Sequence, residues 1–357
     1  MMTEIALTKV AKAGSLPAGQ ELVFGKIFTD HMFAMDYLTG KGWHNRRIVP
    51  YADFTASPAM LALHYGQAIF EGMKAFRSAD NRAWVFRPHD YLNRFNRSAK
   101  LLNIPVMDVE QNHEALLKLL ALEKDWIPGK PGTSLYIRPF VFADEPQLGV
   151  KVADSYKMFI ILSPVGAYYK TGFKPISIKV EDKYVRATIG GLGEAKTPAN
   201  YAMSLAAQQD AYAGGFGQVL WLDAVHRKYI EEVGTMNILF KIKGEIITPA
   251  LNGSILGGNT RKTVLELCRS WGVKATERQI SIEEVFDAHA KGELEEVFGS
   301  GTAAVISPVG ELTWKGQKIV INNNQTGEFS QKLFDYVTGV QSGKIADQYN
   351  WMEEIKG

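Results

Sequence analysis

The chain has 357 residues, of which 46% are hydrophobic and 22% are charged, with a net charge of +2. This length and balance predict a globular protein with two domains. The small net charge argues against a nucleic-acid or membrane surface, and a single cysteine, Cys268, excludes internal disulfides and multi-cysteine zinc sites. Without a long apolar span or a targeting pattern at the N-terminus, a cytoplasmic protein is expected.

The first part of the chain reads mostly as strands. Strand patterns cover LVFGKIF, MFAMDYL, AIFEGMKAF, RAWVFRP, TSLYIRPFVFA and SYKMFIILSPVG. Apolar periodicity predicts helices near 89–102 and 108–125. Gly and Pro then punctuate the chain, which predicts a linker over 170–180 between a smaller N-terminal domain, 1–169, and a larger C-terminal domain, 181–357.

The second part mixes helices and short strands. Helices are predicted over 198–213, 259–271 and 326–341, the second of them stopped by Gly272 and holding Cys268 on its apolar stripe. Short antiparallel strands are predicted at QVLWLD, KYIEEV, NILFKI and EIITPA, and EEVFGSGTAAVISPVG reads as strand, tight turn and strand. Because helices interrupt the strands without strict alternation, the fold class is α/β or α+β with two lobes.

The stretch GGLGEAKTPANYA, residues 190–202, is the strongest candidate for chemistry. It places Lys196 among small residues, where a planar ligand could approach its amine, and Tyr201 follows five positions later. A lysine amine becomes nucleophilic when it is partly desolvated or lies near another cation. A solvent-facing lysine in a flexible turn is the alternative for any Gly-Lys loop taken alone. A Walker loop and a dinucleotide fingerprint are both excluded, because Ala195 and Lys196 stand where those motifs require glycine.

Four other stretches suit a ligand bound to such a lysine. In YIEEV, Glu231 and Glu232 should point to opposite faces of a strand, so that one is buried and the other meets water. Gly257 and Gly258 precede a helix whose first amides could bind an anion, although simple capping is commoner. The other two features are the turn in FGSGTAAV and the arginines Arg94 and Arg138, whose guanidinium groups suit phosphate or carboxylate.

Together these groups specify a ligand with an aldehyde, a phosphate, a phenolic oxygen and a ring nitrogen that requires a carboxylate. That description fits pyridoxal 5'-phosphate, which withdraws electrons from the α-carbon of an amino acid.

The same stretches resemble the branched-chain amino acid aminotransferases, which are fold-type IV pyridoxal phosphate enzymes. The resemblance runs nearly end to end, and its most specific parts in combination are FEGMKAF, EVGTMN and FGSGTA. It implies that Lys196 forms the Schiff base and carries the proton during catalysis. It also implies a set of residues that bind the cofactor, namely Arg94, Arg186, Tyr201, Glu232, Thr235, Asn259, Thr260 and Thr302.

The resemblance also implies a substrate site. Tyr136 and the amides of Thr302 and Ala303 would bind the α-carboxylate, and Arg138 the side-chain carboxylate of glutamate. The walls of the pocket would be Phe24, Tyr65, Phe70, Val150 and Tyr168, with Tyr65 and Val150 supplied by the second subunit of a homodimer. Ala304 and Ser307 stand where mammalian members carry a redox Cys-x-x-Cys, so thiol regulation is not expected there.

The function implied is reversible ping-pong transfer of the amino group of leucine, isoleucine or valine to 2-oxoglutarate, giving branched 2-oxo acids and glutamate. A D-amino-acid aminotransferase or an aminodeoxychorismate lyase of the same fold remains an alternative. A non-catalytic protein that binds a small ligand, with Lys196 merely on a loop, is the alternative from another class.

Overall fold

The computed structural model describes residues 4–17, 19–166 and 172–356. The chain divides into two units, the first formed by Met1–Ala167, Ala195–Pro198 and Gly339–Gly357, and the second by Tyr168–Glu194 and Ala199–Thr338. This division differs from the predicted one, because the C-terminal residues and the loop with Lys196 group with the first unit. The predicted linker, 170–180, also overlaps a strand that begins at Ile176.

The first unit is a mainly antiparallel sheet with helices. Its elements, labelled in chain order, are β1 (Ala6–Leu7), β2 (His31–Leu38), β3 (Gly42–Pro50), α1 (Leu61–Tyr65), β4 (Ala68–Phe70), β5 (Met73–Arg77), β6 (Ala83–Phe86), α2 (Pro88–Leu101), α3 (Val109–Leu122), β7 (Ser134–Ala143), β8 (Ser155–Val165) and β18 (Met352–Glu354). Among the described residues the strand order is β1-β3-β2-β8-β7-β5-β6-β18, with β4 also paired to β7.

The long strand β7 organises this sheet. One of its edges pairs with β8 along its whole length, and the other pairs with both β4 and β5. The single strand predicted over AIFEGMKAF is therefore two strands, interrupted at Glu71 and Gly72. Gly72 is required there because a Cβ atom would lie 1.9 Å from the hydroxyl oxygen of Tyr136. The break places the Glu71 side chain in the interior.

The second unit is built around a closed sheet. Its elements are β9 (Ile176–Glu181), α4 (Pro198–Ala213), β10 (Gln218–Leu222), β11 (Ile230–Val233), β12 (Met236–Ile242), β13 (Glu245–Thr248), α5 (Asn259–Ser270), β14 (Ala275–Glu277), α6 (Ile282–Ala290), β15 (Leu294–Gly301), β16 (Val305–Trp314), β17 (Gln317–Val320) and α7 (Glu328–Gln341). Among the described residues the strand order is β11-β10-β9-β16-β15-β12-β13-β14. Because β11 pairs with β12 as well, the six strands β11, β10, β9, β16, β15 and β12 close into a barrel.

Apolar side chains fill the core of the second unit. Leu220, Ile238, Phe240 and Leu312 belong to one continuous apolar cluster and are fully buried. Helix α5 carries Cys268 on its buried face, which confirms the prediction that this thiol lies in the core. Burial raises the pKa of Cys268 to about 11, so the thiolate, which is the reactive form, is scarce at neutral pH.

The predicted helices agree with the structure to within a few residues, whereas several strands do not. The stretch LVFGKIF is not a strand, since the chain turns at Gly25, whose φ is +68°. The sequence did not predict strands β1, β3, β9, β14, β17 and β18 or helices α1 and α6. None of the described helices has both the length and the apolar character needed to cross a bilayer.

Candidate active site

The loop with Lys196 is held by hydrogen bonds within the first unit. The amide of Lys196 donates to Ser98 Oγ at 2.9 Å, and its carbonyl accepts from the amide of Phe70 at 3.0 Å. Thr197 Oγ1 donates to the carbonyl of Ala68 at 2.8 Å. The lysine is therefore fixed against α2 and β4, which a mobile surface lysine would not be. Ser98 gave no signal in the sequence.

The ring of Phe70 lies close to two cationic side chains. Lys196 Nζ is 4.9 Å from the ring centroid, and the guanidinium carbon of Arg138 is 4.8 Å from it. Arg138 Nη2 donates to Tyr136 Oη at 3.2 Å, while its buried Nε has no partner among the described residues. A planar guanidinium with an unused donor suits a carboxylate.

Aromatic rings line the same cluster. Phe24 contacts Tyr136 edge to face, with ring centroids 4.8 Å apart. The structure thus brings together five predicted site residues of the first unit: Lys196, Phe70, Arg138, Tyr136 and Phe24. This combination of one amine, one guanidinium and apolar ring faces suits an amino acid with a bulky side chain.

Arg94 forms a buried ion pair that the sequence did not reveal. Its Nε and Nη2 donate to the two carboxylate oxygens of Glu71, at 2.7 and 2.8 Å. Glu71 is fully buried and Arg94 nearly so. The pair orients the guanidinium predicted to bind phosphate and joins α2 to the break between β4 and β5. The signal that could have found Glu71 is its place beside Gly72 in an otherwise apolar strand pattern.

Lys74, on β5, is a further amine that the sequence did not single out. It lies opposite Tyr136 in the register of β5 and β7. Burial lowers the pKa of Lys74 to about 8, because desolvation penalises the ammonium form.

In the second unit, Glu231 and Glu232 are both buried on β11. The expectation that one of them meets water was wrong, because β11 is covered on both faces. Glu232 accepts a hydrogen bond from the amide of Leu256 at 2.8 Å and lies 3.3 Å from the guanidinium of Arg186. Arg186 also donates to the carbonyls of Gly193 and Ser254. Glu232 is therefore a fixed carboxylate, suited to holding a protonated ring nitrogen.

The start of α5 is suited to binding an anion. Its N-cap is Gly258, so no side chain caps the first amides of the helix. Asn259 and Thr260 are buried there, and Asn259 Nδ2 has no partner within the described ranges. Unpaired amides and the positive end of the helix dipole favour a phosphate at this position.

The turn between β15 and β16 holds Thr302 and Ala303, both half-buried. It ends at Val305, whose φ is +63°, a strained conformation for a β-branched residue. Strain of this kind persists only where the surrounding structure imposes it, and it is commonest at functional sites. Ser300, at the other side of the turn, is buried, and its Oγ has no partner in the part of the chain that the structure describes.

The remaining predicted residues occupy more exposed positions. Tyr201 is half-buried on α4, and Thr235 is exposed in the turn between β11 and β12. Tyr65 and Val150 are exposed by 46% and 79%, and Tyr65 Oη donates to the carbonyl of Leu148. Tyr168 lies outside the described residues.

Comparison with known proteins identifies the family. The model of amino-transferase class IV matches residues 68–312. Branched-chain-amino-acid aminotransferase 2 of Bacillus subtilis is 54% identical over 99% of this chain and 96% of its own, and branched-chain-amino-acid transaminase 1 of the same species is 54% identical over 95% and 96%. The chain belongs to the branched-chain-amino-acid aminotransferases of class IV.

A solved structure supports the same assignment. The branched-chain amino acid aminotransferase of Escherichia coli superposes with a TM-score of 0.75 at 26% identity, covering 90% of this chain and 99% of that one. The residues matched by the family model include every predicted cofactor residue, from Arg94 to Thr302. Phe24 and Tyr65 precede them. The fold-type IV architecture expected from the sequence is thus confirmed.

Proposed function

We propose that this enzyme transfers the amino group of L-leucine, L-isoleucine or L-valine to 2-oxoglutarate, reversibly and by a ping-pong mechanism. The relatives that are 54% identical over nearly the whole chain support this substrate class. The observation that carries the proposal is the cluster around Phe70, where a fixed lysine amine and an arginine share one aromatic ring. Such a site offers one group for chemistry, one for a carboxylate and apolar faces for a branched chain.

The residues of this chain fit pyridoxal 5'-phosphate, the cofactor of class IV aminotransferases. The start of α5, with an uncapped end and the unpartnered Nδ2 of Asn259, suits the phosphate. Glu232, a buried carboxylate on β11, suits the ring nitrogen. From the resemblance to the family, we also assign Arg94, Arg186, Tyr201, Thr235, Thr260 and Thr302 to cofactor binding. When bound, the cofactor supplies electron withdrawal from the α-carbon of the substrate.

The protein contributes proton transfer and orientation. Lys196 would hold the cofactor, and its Nζ would carry the proton of the substrate α-carbon. The backbone bonds of Lys196 to Ser98 and Phe70 hold the amine in place for that step. Glu232 holds a proton on the ring nitrogen, and Arg186 orients Glu232 at 3.3 Å.

Substrate choice requires one pocket to accept both a branched alkyl chain and a carboxylate. Phe24, Phe70 and Tyr136 exclude water from the alkyl chain, whose burial contributes about 2 kcal/mol. Arg138 binds the side-chain carboxylate of glutamate by a charge-assisted hydrogen bond. From the resemblance to the family, we also assign Tyr136 and the amides of Thr302 and Ala303 to binding of the α-carboxylate, and Tyr168 to the wall of the pocket.

We also propose that the enzyme works as a homodimer in which Tyr65 and Val150 complete the pocket of the other subunit. Their exposure, together with that of Leu148, supports this, because exposed apolar patches mark interaction surfaces. Its substrates are small molecules. The cytoplasmic location remains a prediction from the sequence.

The decisive experiment replaces the lysine. We expect Lys196→Ala to lose both the visible absorption of the bound cofactor and turnover with leucine and 2-oxoglutarate. In the unmodified enzyme, borohydride reduction followed by peptide mass spectrometry should place the cofactor on Lys196. The exposed Lys262→Ala serves as a control that keeps both properties. Turnover by the Lys196→Ala variant at the rate of the control would contradict the proposal.

A further inference from the structure

A cluster of metal-binding side chains lies in the first unit, where the starts of α2 and α3 meet β18. His89 stands at the second position of α2, His113 on α3, and Glu353 on β18. One potential ligand atom from each lies within 4.8 Å of the other two. None of these residues belongs to the proposed catalytic machinery.

The three groups already face one another. His113 Nε2 is 2.8 Å from Glu353 Oε2, and His89 Nδ1 is 4.0 Å from the same oxygen. The imidazole rings lie close, with centroids 4.1 Å apart. A tetrahedral zinc ion, with ligand distances of about 2.0–2.1 Å, separates its ligand atoms by about 3.3 Å. Because His89 is 46% exposed and the side chain of Glu353 is 35% exposed, rotation of these side chains can close the remaining gap.

A fourth residue completes the arrangement. The far nitrogen of the His89 ring, Nε2, lies 3.5 Å from Glu110 Oε1 in the first turn of α3. Histidines that bind a metal through one nitrogen usually donate the other N–H to a carboxylate, which fixes the ring and raises its basicity. His89 therefore has a metal-facing nitrogen and a carboxylate behind it.

We propose that His89 Nδ1, His113 Nε2 and Glu353 Oε2 bind a divalent transition metal of the zinc class, with Glu110 orienting His89. Two imidazoles and one carboxylate are the ligands that zinc takes, whereas magnesium and calcium take oxygen ligands alone. Water fills the fourth position. The ion joins the C-terminal strand β18 to α2 and α3.

The ion stabilises the unit and takes no part in transamination. The chain just before Glu353 is already tied to α2, since the carbonyl of Trp351 accepts from the amide of Arg87 at 2.6 Å. A metal bridging His89, His113 and Glu353 adds a second link at the same junction. Binding to the folded state alone raises the melting temperature as the metal concentration rises.

The test uses the tag-free, cofactor-loaded enzyme after chelator treatment, titrated with zinc ion in the absence of substrate. We expect one high-affinity ion per chain, a higher melting temperature and unchanged turnover, with no such effect from magnesium. His89→Ala, His113→Ala and Glu353→Gln should each lose this binding, and Glu110→Gln should weaken it about 10- to 100-fold.

Two exposed histidines elsewhere provide matched controls. His64→Ala, on α1, and His226→Ala, in the second unit, should bind zinc like the unmodified enzyme. Turnover and circular dichroism verify that each variant is folded, and the exposed His89 keeps the test valid if His113→Ala fails to fold. Equal zinc affinity in His89→Ala and His226→Ala would overturn the proposal, as would a stoichiometry of zero.

Discussion

Individual side chains in this enzyme derive their roles from what surrounds them. Arg94, on α2, and Arg138, on β7, have different surroundings. Two nitrogens of Arg94 donate to Glu71, whereas Arg138 faces Phe70, and its Nε has no partner among the described residues. The first is oriented by a fixed carboxylate, and the second can receive a carboxylate from a ligand. Arg138 is therefore the residue whose replacement should separate the two substrate classes.

Replacing Arg138 with Ala should affect glutamate far more than leucine. A hydrogen bond to a charged group contributes about 1.5–3 kcal/mol, so kcat/KM for glutamate and 2-oxoglutarate should fall roughly 10- to 100-fold or more. Leucine, which has no side-chain carboxylate, should lose only a small factor. Half-reactions followed by cofactor absorption measure each substrate separately, with the exposed Arg82→Ala as control. Equal losses for glutamate and leucine would rule out this role.

Glu231, one of the two buried glutamates on β11, leads to a prediction about how the free energy of unfolding depends on pH. Burial raises the pKa of Glu231 above its ordinary value of 4.5, and its Oε2 has no partner within the described residues. The folded protein therefore keeps a proton that the unfolded chain loses, and the free energy of unfolding falls as pH rises from about 4.5 through the folded pKa. The glutamine in Glu231→Gln cannot ionise, so the variant does not lose free energy of unfolding in this way.

We expect Glu231→Gln to gain stability relative to the unmodified enzyme as pH rises over that window, and to match it at the acidic end. Melting temperatures of both proteins across the pH series provide the measurement. Glu283→Gln removes one exposed charge from α6, and its melting temperature should change with pH in parallel with that of the unmodified enzyme. The hypothesis fails if the Glu231→Gln curve is parallel as well.

At the scale of elements, the sequence predicted what periodicity and local chemistry control. Helix α4 matches the predicted 198–213, and α2 and α5 differ by a residue at their ends, because Pro198, Gly272 and the apolar stripes mark them. Strands whose pairing partners are distant in the sequence were not predicted. Strand β9 pairs in parallel with β10 and β16, and no local pattern records such partners.

The candidate site likewise contains residues that the local sequence indicates and residues that only the fold reveals. Lys196 and the start of α5 were predicted because each lies in an unusual local stretch, whereas the choice of Glu232 over Glu231 came from the resemblance to the family. Glu71 and Ser98 were missed, because their roles depend on which side chain or backbone amide the fold brings to them.

Two adjacent glycines at the start of α5 allow a matched test of the anion site. A Cβ on Gly258 would lie 2.0 Å from Asn237 Oδ1, whereas one on Gly257 would lie 3.4 Å from a methyl carbon of Leu251, an ordinary contact. Asn237 Nδ2 donates to the carbonyl of Leu256, so displacing Asn237 disturbs the residues that lead into the helix. Gly258→Ala should therefore move the helix start, and Gly257→Ala should not.

We expect Gly258→Ala to weaken cofactor binding roughly 5- to 30-fold, equivalent to the ~1–2 kcal/mol that a well-placed helix end contributes to anion binding. Titration of the cofactor-free variants with pyridoxal 5'-phosphate measures this, and their melting temperatures without cofactor report folding. A similar affinity in both variants would show that the start of α5 does not bind the phosphate.

For the whole molecule, the resemblance of the sequence predicted both the enzyme class, which the relatives confirm, and a homodimer, which stays a prediction. The exposed apolar residues of the first unit bear on this predicted assembly. Leu148 and Val150 are exposed by 65% and 79%, and Leu148 is joined to the similarly exposed Tyr65 by a hydrogen bond. Exposed apolar side chains clustered in one loop are costly for a monomer, because they remain in contact with water.

We therefore expect the double variant Leu148→Glu, Val150→Glu to lose the dimer. Two charges in this loop would have to be desolvated at a subunit contact, which opposes association strongly, whereas they cost little on a free surface. Sedimentation velocity should show a shift from dimer toward monomer, and turnover should fall with the dimer fraction, because each pocket would lack Tyr65 and Val150 of the partner.

The matched control is Val225→Glu, since Val225 is 77% exposed but lies in a turn of the second unit. It should leave both sedimentation and turnover unchanged. If the loop only shields the pocket of its own chain, the double variant would lose turnover and stay a dimer. That outcome would assign the loop to substrate binding within one subunit and contradict the proposed exchange.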